Sequence, residues 1–369
     1  MKSKFIIIVP SLNNGGAEIV GINIANFLTS QDFSVDLICL KGFKNISIDK
    51  INPSVNVHFF ETKRTLWSVI KLHRFLKNNS DAYLMSVIRD VNIITAIAAF
   101  NISFRAIYFR EANTFDGFEY MTRGRQIFYK FLMMLSYIKA DKVIANSFDT
   151  KADLISSHIC KSSKVKVIGN PVLPYNFLHL GKASVDLDWF DDQSVKVVLS
   201  VGRLAPQKNF SYLIDVFSKA YSSNNNIRLL IIGDGPLKSE LSDQILQKGL
   251  GELVRIVPGK ANVLPYFYRS DIFALTSLWE GFGNVIVEAI AFGLPVIASK
   301  VPGGVSTILR GGVGDLVSLD DQSIFVEKML RLIENSDIQD DKAAARKRRA
   351  MDFTVEKIVP DYLSEIWLD

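Results

Sequence analysis

Cysteine and histidine are scarce: two and four residues in a chain of 369. Cys39 and Cys160 stand far apart, which argues against a disulfide framework or a zinc site and predicts buried, reduced thiols. Long apolar runs are absent too. None approaches the roughly 18 to 20 residues that span a bilayer, and the opening Lys4-Phe-Ile-Ile-Ile-Val-Pro10 is too short for a secretory signal, so a cytoplasmic protein is expected. The full G-x-G-x-x-G fingerprint is missing, which disfavours a nicotinamide or flavin dinucleotide. A net charge of +5 is too small to imply nucleic acid, and no nucleic-acid-binding motif is recognised; it suits anionic ligands or an anionic membrane surface.

What is present is an ordinary globular composition, 48% hydrophobic and 22% charged, long enough for two domains with full cores. Phe5 to Val9 reads as a strand buried on both faces, and the turn Asn13-Asn14-Gly15-Gly16-Ala17-Glu18 leads into a helix over Ile19 to Leu28. Further strands are expected at Val35 to Leu40, Val55 to Phe60, Ala82 to Val87, Arg105 to Phe109 and Lys142 to Asn146, most of them separated by helical stretches. Such alternation predicts a parallel sheet covered on both sides, with ligands at the carboxyl ends of its strands.

Residues 173–194 lack periodicity and read as a linker. Asp186-Leu-Asp188 within it superficially resembles a metal-binding Asp-x-Asp, but no strand precedes it and it reads as coincidence. The plan then repeats. Strand Val195 to Val201 delivers Gly202-Arg-Leu-Ala-Pro-Gln-Lys-Asn209, and Arg203 with Lys208 at a strand's carboxyl end suits a diphosphate: one offers a fork of donors, the other a point charge. Ile227 to Ile232 and Leu253 to Val257 are the next strands, followed by Gly233-Asp-Gly-Pro236 and Pro258-Gly-Lys260.

The most informative stretch is Ser277-Leu-Trp-Glu-Gly-Phe-Gly-Asn-Val-Ile-Val-Glu-Ala-Ile-Ala-Phe-Gly-Leu-Pro-Val-Ile-Ala-Ser299. After the strand Asp271 to Thr276, Gly281 and Gly283 allow close backbone approach, and a helix from Val285 to Phe292 would aim unpaired N–H groups at a phosphate. Glu280 and Glu288, without basic neighbours at helix spacing, can accept hydrogen bonds from sugar or ribose hydroxyls. A solvated Glu280 and a Glu288 that merely favours the helix dipole explain the same pair.

Two glutamates eight positions apart with Gly-Phe-Gly between them, followed by Glu-Ala-x-Ala-x-Gly-x-Pro-Val, resemble the signature of retaining glycosyltransferases of family 4. The Gly-Arg-x-x-x-x-Lys turn from Gly202 to Lys208 is similar to that family's as well.

The resemblance implies the GT-B fold: two Rossmann-like, doubly wound parallel-sheet α/β domains facing a central cleft. The boundaries expected are 1–172 for the acceptor-side domain, 195–352 for the nucleotide-sugar domain, and a last helix over 353–369 that returns to the first. It implies transfer, with retention and without a metal or other cofactor, of a sugar from a nucleoside-diphosphate donor, by default a UDP-sugar. The acceptor would be a hydroxyl of a glycan or lipid-linked saccharide, in bacterial surface polysaccharide synthesis such as O-antigen, capsule or lipopolysaccharide. Arg203, Lys208 and the helix after Gly283 would stabilise the departing diphosphate. Glu288 would hold the ribose, Glu280 the donor sugar, Gly259 and Lys260 the base, and Gly15, Gly16 and Gly202 the diphosphate. Phe282, Gly283, Asn284 and Val285 would shape the donor pocket.

The chain departs from the family where many members carry a histidine after a first-domain strand. It offers Arg110-Glu111-Ala112-Asn113 instead, and no other histidine matches that context. Arg110, Glu111 and Asn113, with Asn14, are the acceptor-side candidates; a surface ion pair between Arg110 and Glu111 is the alternative. Two basic, aromatic-bearing stretches, Lys63 to Lys77 and Arg123 to Lys139, suit either peripheral contact with the inner face of an anionic membrane or packing against the sheet. The basic cluster Lys342 to Arg349 reads as a solvated helix face. An epimerase of the same architecture, a non-catalytic nucleotide-sugar binder and a purely structural protein are the competing readings.

Overall fold

A computed structural model describes residues 3–13, 15–41, 50–61, 65–115, 121–335 and 341–367. The chain divides into two compact units, Met1–Pro174 with Thr354–Asp369, and Tyr175–Phe353.

The first unit is built on a seven-stranded sheet, all of whose pairings are parallel: β1 (Lys4–Val9), β2 (Ser34–Cys39), β3 (Asn56–Phe59), β4 (Ala82–Ser86), β5 (Ala106–Glu111), β6 (Lys142–Ala145) and β7 (Val165–Val167). Their order is β3-β2-β1-β4-β5-β6-β7. Alternate residues of β1 enter opposite cores, Ile6 and Ile8 on one side and Phe5, Ile7 and Val9 on the other, which is why the strand is apolar throughout. The last helix, Val355–Trp367, joins the second of these cores through Val355, Ile358, Val359 and Tyr362.

The second unit repeats the plan with six parallel strands: β8 (Lys196–Val201), β9 (Ile227–Ile232), β10 (Val254–Val257), β11 (Ile272–Leu275), β12 (Val296–Ser299) and β13 (Asp315–Val317), in the order β10-β9-β8-β11-β12-β13. In each sheet the direction of winding reverses beside the first strand, between β1 and β4 and between β8 and β11. In doubly wound sheets ligands bind at this switch point, outside the carboxyl ends of the strands.

The structure departs from the expectations in three places. Residues read as a linker hold a short helix, Phe177–Gly181, and a 3-10 turn, Asp188–Phe190, and from Tyr175 onward they group with the second unit. Trp189 is buried there beneath the Arg255 guanidinium, 4.3 Å from the ring centre, and Asp188 pairs with that same arginine. Strand β5 runs two residues beyond Phe109, into Arg110 and Glu111. The basic cluster is not a simply solvated face. In the helix Asp341–Ala350, Arg346 is buried and donates to the Gly293 carbonyl (2.9 Å), while Arg349, in the same helix, donates to the carbonyls of Ile308 and Thr307 (3.0 and 2.6 Å). Both cysteines are buried and free, and burial pushes their thiols up to about 11 for Cys39 and about 12 for Cys160.

Candidate functional site

The second unit's switch point is assembled by backbone contact. Gly202 follows β8 and Gly233 follows β9, and a Cβ on Gly233 would lie 1.9 Å from the Gly202 carbonyl oxygen; one on Gly235 would lie 2.2 Å from that of Leu204. Only glycine lets these two turns close on each other, through Gly202 N–H to Ile232 O (3.0 Å) and Leu204 N–H to Asp234 O (2.9 Å). The chain then makes a 3-10 turn, Pro206–Lys208, and passes through Asn209 at φ +49° into the helix Phe210–Ser223. That turn lays the Lys208 stem against Gly202, where an added Cβ would lie 3.1 Å from Cε.

The loop after β11 is tied to this turn. Thr276 Oγ1 donates to the carbonyls of Lys208 and Asn209 (3.2 and 3.1 Å), Leu278 N–H donates to Gln207 O (2.8 Å), and Gln207 Nε2 donates to Trp279 O (2.9 Å). The result is a direct contact between the cationic and acidic corners: Lys208 Nζ lies 2.5 Å from Glu280 Oε1, which also accepts from Ser277 Oγ (2.6 Å). Both charges are largely removed from water, with side-chain exposures of 14% and 7%. Both hydrogen bonds fall on Oε1, so among the described residues Oε2 keeps its acceptor capacity.

A third loop seals the corner. Gly303 has φ +115°, and a Cβ there would lie 1.8 Å from the Glu280 carbonyl oxygen; Glu280 N–H donates to Pro302 O (3.3 Å) and Gly304 N–H to Gly281 O (3.1 Å). Phe282 is buried edge-on to Phe353, with ring centres 5.6 Å apart. Gly283, at φ +97°, caps the helix Asn284–Ala291, whose first residues Asn284 and Val285 and, one turn on, Glu288 are half-buried. The helix carrying Arg346 packs behind this one and steadies it.

Gly202, Arg203, Lys208, Glu280, Phe282, Gly283, Asn284, Val285 and Glu288 therefore all belong to the turns and helix at one switch point, with Arg203 exposed and Lys208 drawn inward. Gly259 and Lys260 are exposed at the carboxyl end of β10, two strands from β8, where Gly259 N–H donates to Asp234 Oδ2 (2.7 Å). Sequence reasoning missed Ser277, Gly303 and Gly304. The Pro-Gly-Gly run was visible, but its packing partner lies about twenty residues away in sequence and no local pattern reports it.

In the first unit, Asn14 lies outside the described residues. Gly15 precedes the helix Gly16–Ser30, but the space beside it is taken: a Cβ there would lie 2.2 Å from Glu18 Oε2, and Ser11 Oγ donates to Glu18 Oε1 (3.1 Å). Burial pushes the Glu18 carboxyl above the usual range.

Arg110 and Glu111 are not a surface pair, and neither side chain reaches solvent. They fall inside β5, opposite Ile144 and Ala145 of β6, in a sheet covered on both faces. Arg110 donates to Tyr362 Oη and Val87 O (both 3.2 Å) and to Asn170 Oδ1, tying the last helix to the sheet. Glu111 accepts from Tyr137 Oη (2.7 Å) and Arg89 Nε (3.2 Å) on the other side. Beside that carboxylate, burial and its charge raise the Tyr137 phenol well above the ordinary range. These two residues brace the unit. Asn113 is exposed, and its carbonyl accepts from Arg89 Nη2 (3.0 Å).

Two doubly wound parallel-sheet units make up the GT-B fold, and the second carries a cation and a carboxylate in contact at its switch point. Residues 188–350, within the second unit, match the family model described as glycosyl transferases group 1. The chain is similar over nearly its whole length to two bacterial enzymes. One is N-acetylgalactosamine-N,N'-diacetylbacillosaminyl-diphospho-undecaprenol 4-alpha-N-acetylgalactosaminyltransferase of Campylobacter jejuni (25% identity, 98% of each chain). The other is UDP-Gal:alpha-D-GlcNAc-diphosphoundecaprenol alpha-1,3-galactosyltransferase of Escherichia coli (25% identity, 100% of this chain and 97% of that protein). Among solved structures, Anabaena HepE in complex with UDP-glucose shares the fold at a TM-score of 0.80 and 21% identity, covering 98% of this chain and 99% of that one. Among the described residues no helix is long and apolar enough to cross a membrane.

Proposed function

We propose that the protein moves a sugar, with retention, from a UDP-sugar to a hydroxyl of a lipid-linked saccharide in the assembly of a bacterial surface polysaccharide. The observation that carries this reading is the Lys208–Glu280 contact at the carboxyl ends of β8 and β11. A departing diphosphate needs positive potential already in place when its charge develops. Arg203 and Lys208 supply it as side chains, and the helix beginning at Asn284 supplies it through its first N–H groups. Glu280 holds Lys208 through Oε1 and offers Oε2 to a donor-sugar hydroxyl. Glu288, one turn into the helix, accepts from the ribose, and Gly259 and Lys260 flank the base. The acceptor proton passes to the leaving phosphate on the same face, so neither a covalent nucleophile nor a divalent ion is needed.

The names of the Campylobacter and Escherichia relatives, both acting on diphospho-undecaprenol saccharides, support the acceptor class, and the HepE complex supports the uridine donor. Incubation with UDP-sugars and a diphospho-undecaprenol saccharide tests the proposal. Product in which the donor's anomeric configuration is kept supports it; inverted product, or epimerised donor without acceptor, overturns it.

A further inference from the structure

The helix Arg123–Tyr137 carries its apolar residues on the wrong side for a sheet-packing element. It buries Met133, Ser136 and Tyr137, while Ile127, Phe128, Phe131 and Leu135, and Ile138 just beyond its end, face solvent. Ile127, Phe131 and Ile138 are four and seven positions apart and form one stripe along the helix. Ile127 and Ile138, at opposite ends, are 70% and 71% exposed, so the stripe is open over its full length.

The same layer continues beyond this helix. The helix Arg89–Ala98 packs between it and the helix Val69–Lys77, held by His73 Nδ1 to Ala98 O (2.8 Å) and by Lys139 Nζ donating to Ile102 O (3.1 Å). This layer also presents Trp67, 74% exposed, Ile70, and Phe100, 69% exposed. Large exposed apolar surfaces of this kind mark interaction sites.

Charge selects the occupant. Neither 65–80 nor 121–140 contains an aspartate or glutamate, whereas Lys71, Arg74, Lys77, Arg123 and Arg125 are all exposed. The acid of the intervening helix, Asp90, stands in its first turn, at the end opposite Phe100, so an apolar stripe bordered by cations complements a surface whose interior is apolar and whose rim is anionic.

We infer that this three-helix face of the first unit docks on a bilayer containing anionic phospholipid, inserting Ile127, Phe131 and Ile138 to the headgroup–acyl boundary while the arginines and lysines meet headgroup phosphates. The inference deepens the proposed function, because an acceptor on a lipid carrier stays at the membrane and its enzyme must meet it there.

The test is co-sedimentation of the full chain with vesicles of phosphatidylcholine, alone or mixed with phosphatidylglycerol. The wild type binds the mixed vesicles at low salt, binds less at high salt and binds phosphatidylcholine weakly. Ile127→Ser/Phe131→Ser/Ile138→Ser and, separately, Arg74→Glu/Lys77→Glu each weaken binding to mixed vesicles at least about tenfold. All these side chains but Phe131, at 50%, are more than half exposed or on the charged surface, so the fold survives, as checked by an unchanged thermal shift with UDP. Failure of the wild type to sediment with mixed vesicles overturns the inference, as does undiminished binding by the triple variant. So does a lipid-free dimer that the triple variant dissociates, which would assign the face to a second copy. Lost vesicle binding with the UDP shift intact removes the docking surface alone, whereas a missing UDP shift with vesicle binding intact removes the proposed transfer reaction alone.

Discussion

Replacing Lys208 with alanine tests two consequences of one contact. The ammonium it removes lies 2.5 Å from Glu280 Oε1, and the side chain left behind is 7% exposed with Ser277 Oγ as its remaining partner. Breaking a buried pair from one side costs about 3–5 kcal/mol; with Lys208 14% exposed and the serine retained, about 2–4 kcal/mol is expected. For a unit of this size that lowers the melting temperature by roughly 5–15 °C. Loss of one preorganised donor should also reduce turnover about 100- to 1000-fold. The two effects separate in the double variant Lys208→Met/Glu280→Gln, which removes both charges: stability returns to within about 1 kcal/mol of wild type, while turnover stays depressed. Differential scanning fluorimetry and a donor-consumption assay at saturating acceptor read the two quantities. A Lys208→Ala protein that melts and turns over like wild type would refute the reasoning. A double variant that recovers turnover would assign the pair to the scaffold.

Other expectations follow from the same geometry. Gly303→Ala places a methyl 1.8 Å from a backbone oxygen at a left-handed φ, so it should destabilise the second unit by about 3 kcal/mol or more and weaken UDP binding; chemical denaturation and calorimetry check this. Arg110→Met removes the donors that tie Tyr362, Val87 and Asn170 together; faster hydrogen exchange across Val355–Trp367 is expected, with acceptor KM unchanged, and a raised acceptor KM without destabilisation would restore Arg110 to the site. Full turnover is expected in excess chelator, and strict dependence on added manganese would contradict the proposed leaving-group stabilisation. Because burial raises both thiols, to about 11 and about 12, alkylation of the native protein at pH 8 should proceed far more slowly than in denaturant, and equal rates would contradict the burial.

The central strands were legible because strands covered on both faces are apolar nearly throughout, as in Phe5 to Val9 and, apart from the buried Ser200, Val197 to Val201. The three-residue strands β7 and β13 were not, since Val165–Val167 and Asp315–Val317 are too short to repeat an alternating pattern. Charged residues misled in a consistent way. Arg346 and Arg349 read as a solvated face, and Arg110 and Glu111 as acceptor-side candidates or else a surface pair, yet each is held by partners contributed from elsewhere in the chain, such as Asn170, Tyr137 and Gly293. The site's turns were readable from their glycines: Gly233 meets the Gly202 carbonyl, and Gly283 turns at a left-handed φ. The partnership of Lys208 with Glu280 was not: 72 residues separate them, and only the strand order brings their turns together.

The diphosphate site is tested most directly by isothermal titration of UDP and UMP into the wild type and Lys208→Ala. UDP should bind the wild type at least about tenfold more tightly than UMP, through the second phosphate, and that difference should vanish in the variant. Equal affinities of UDP and UMP for the wild type, or a UDP preference that survives the loss of Lys208, would contradict the assignment.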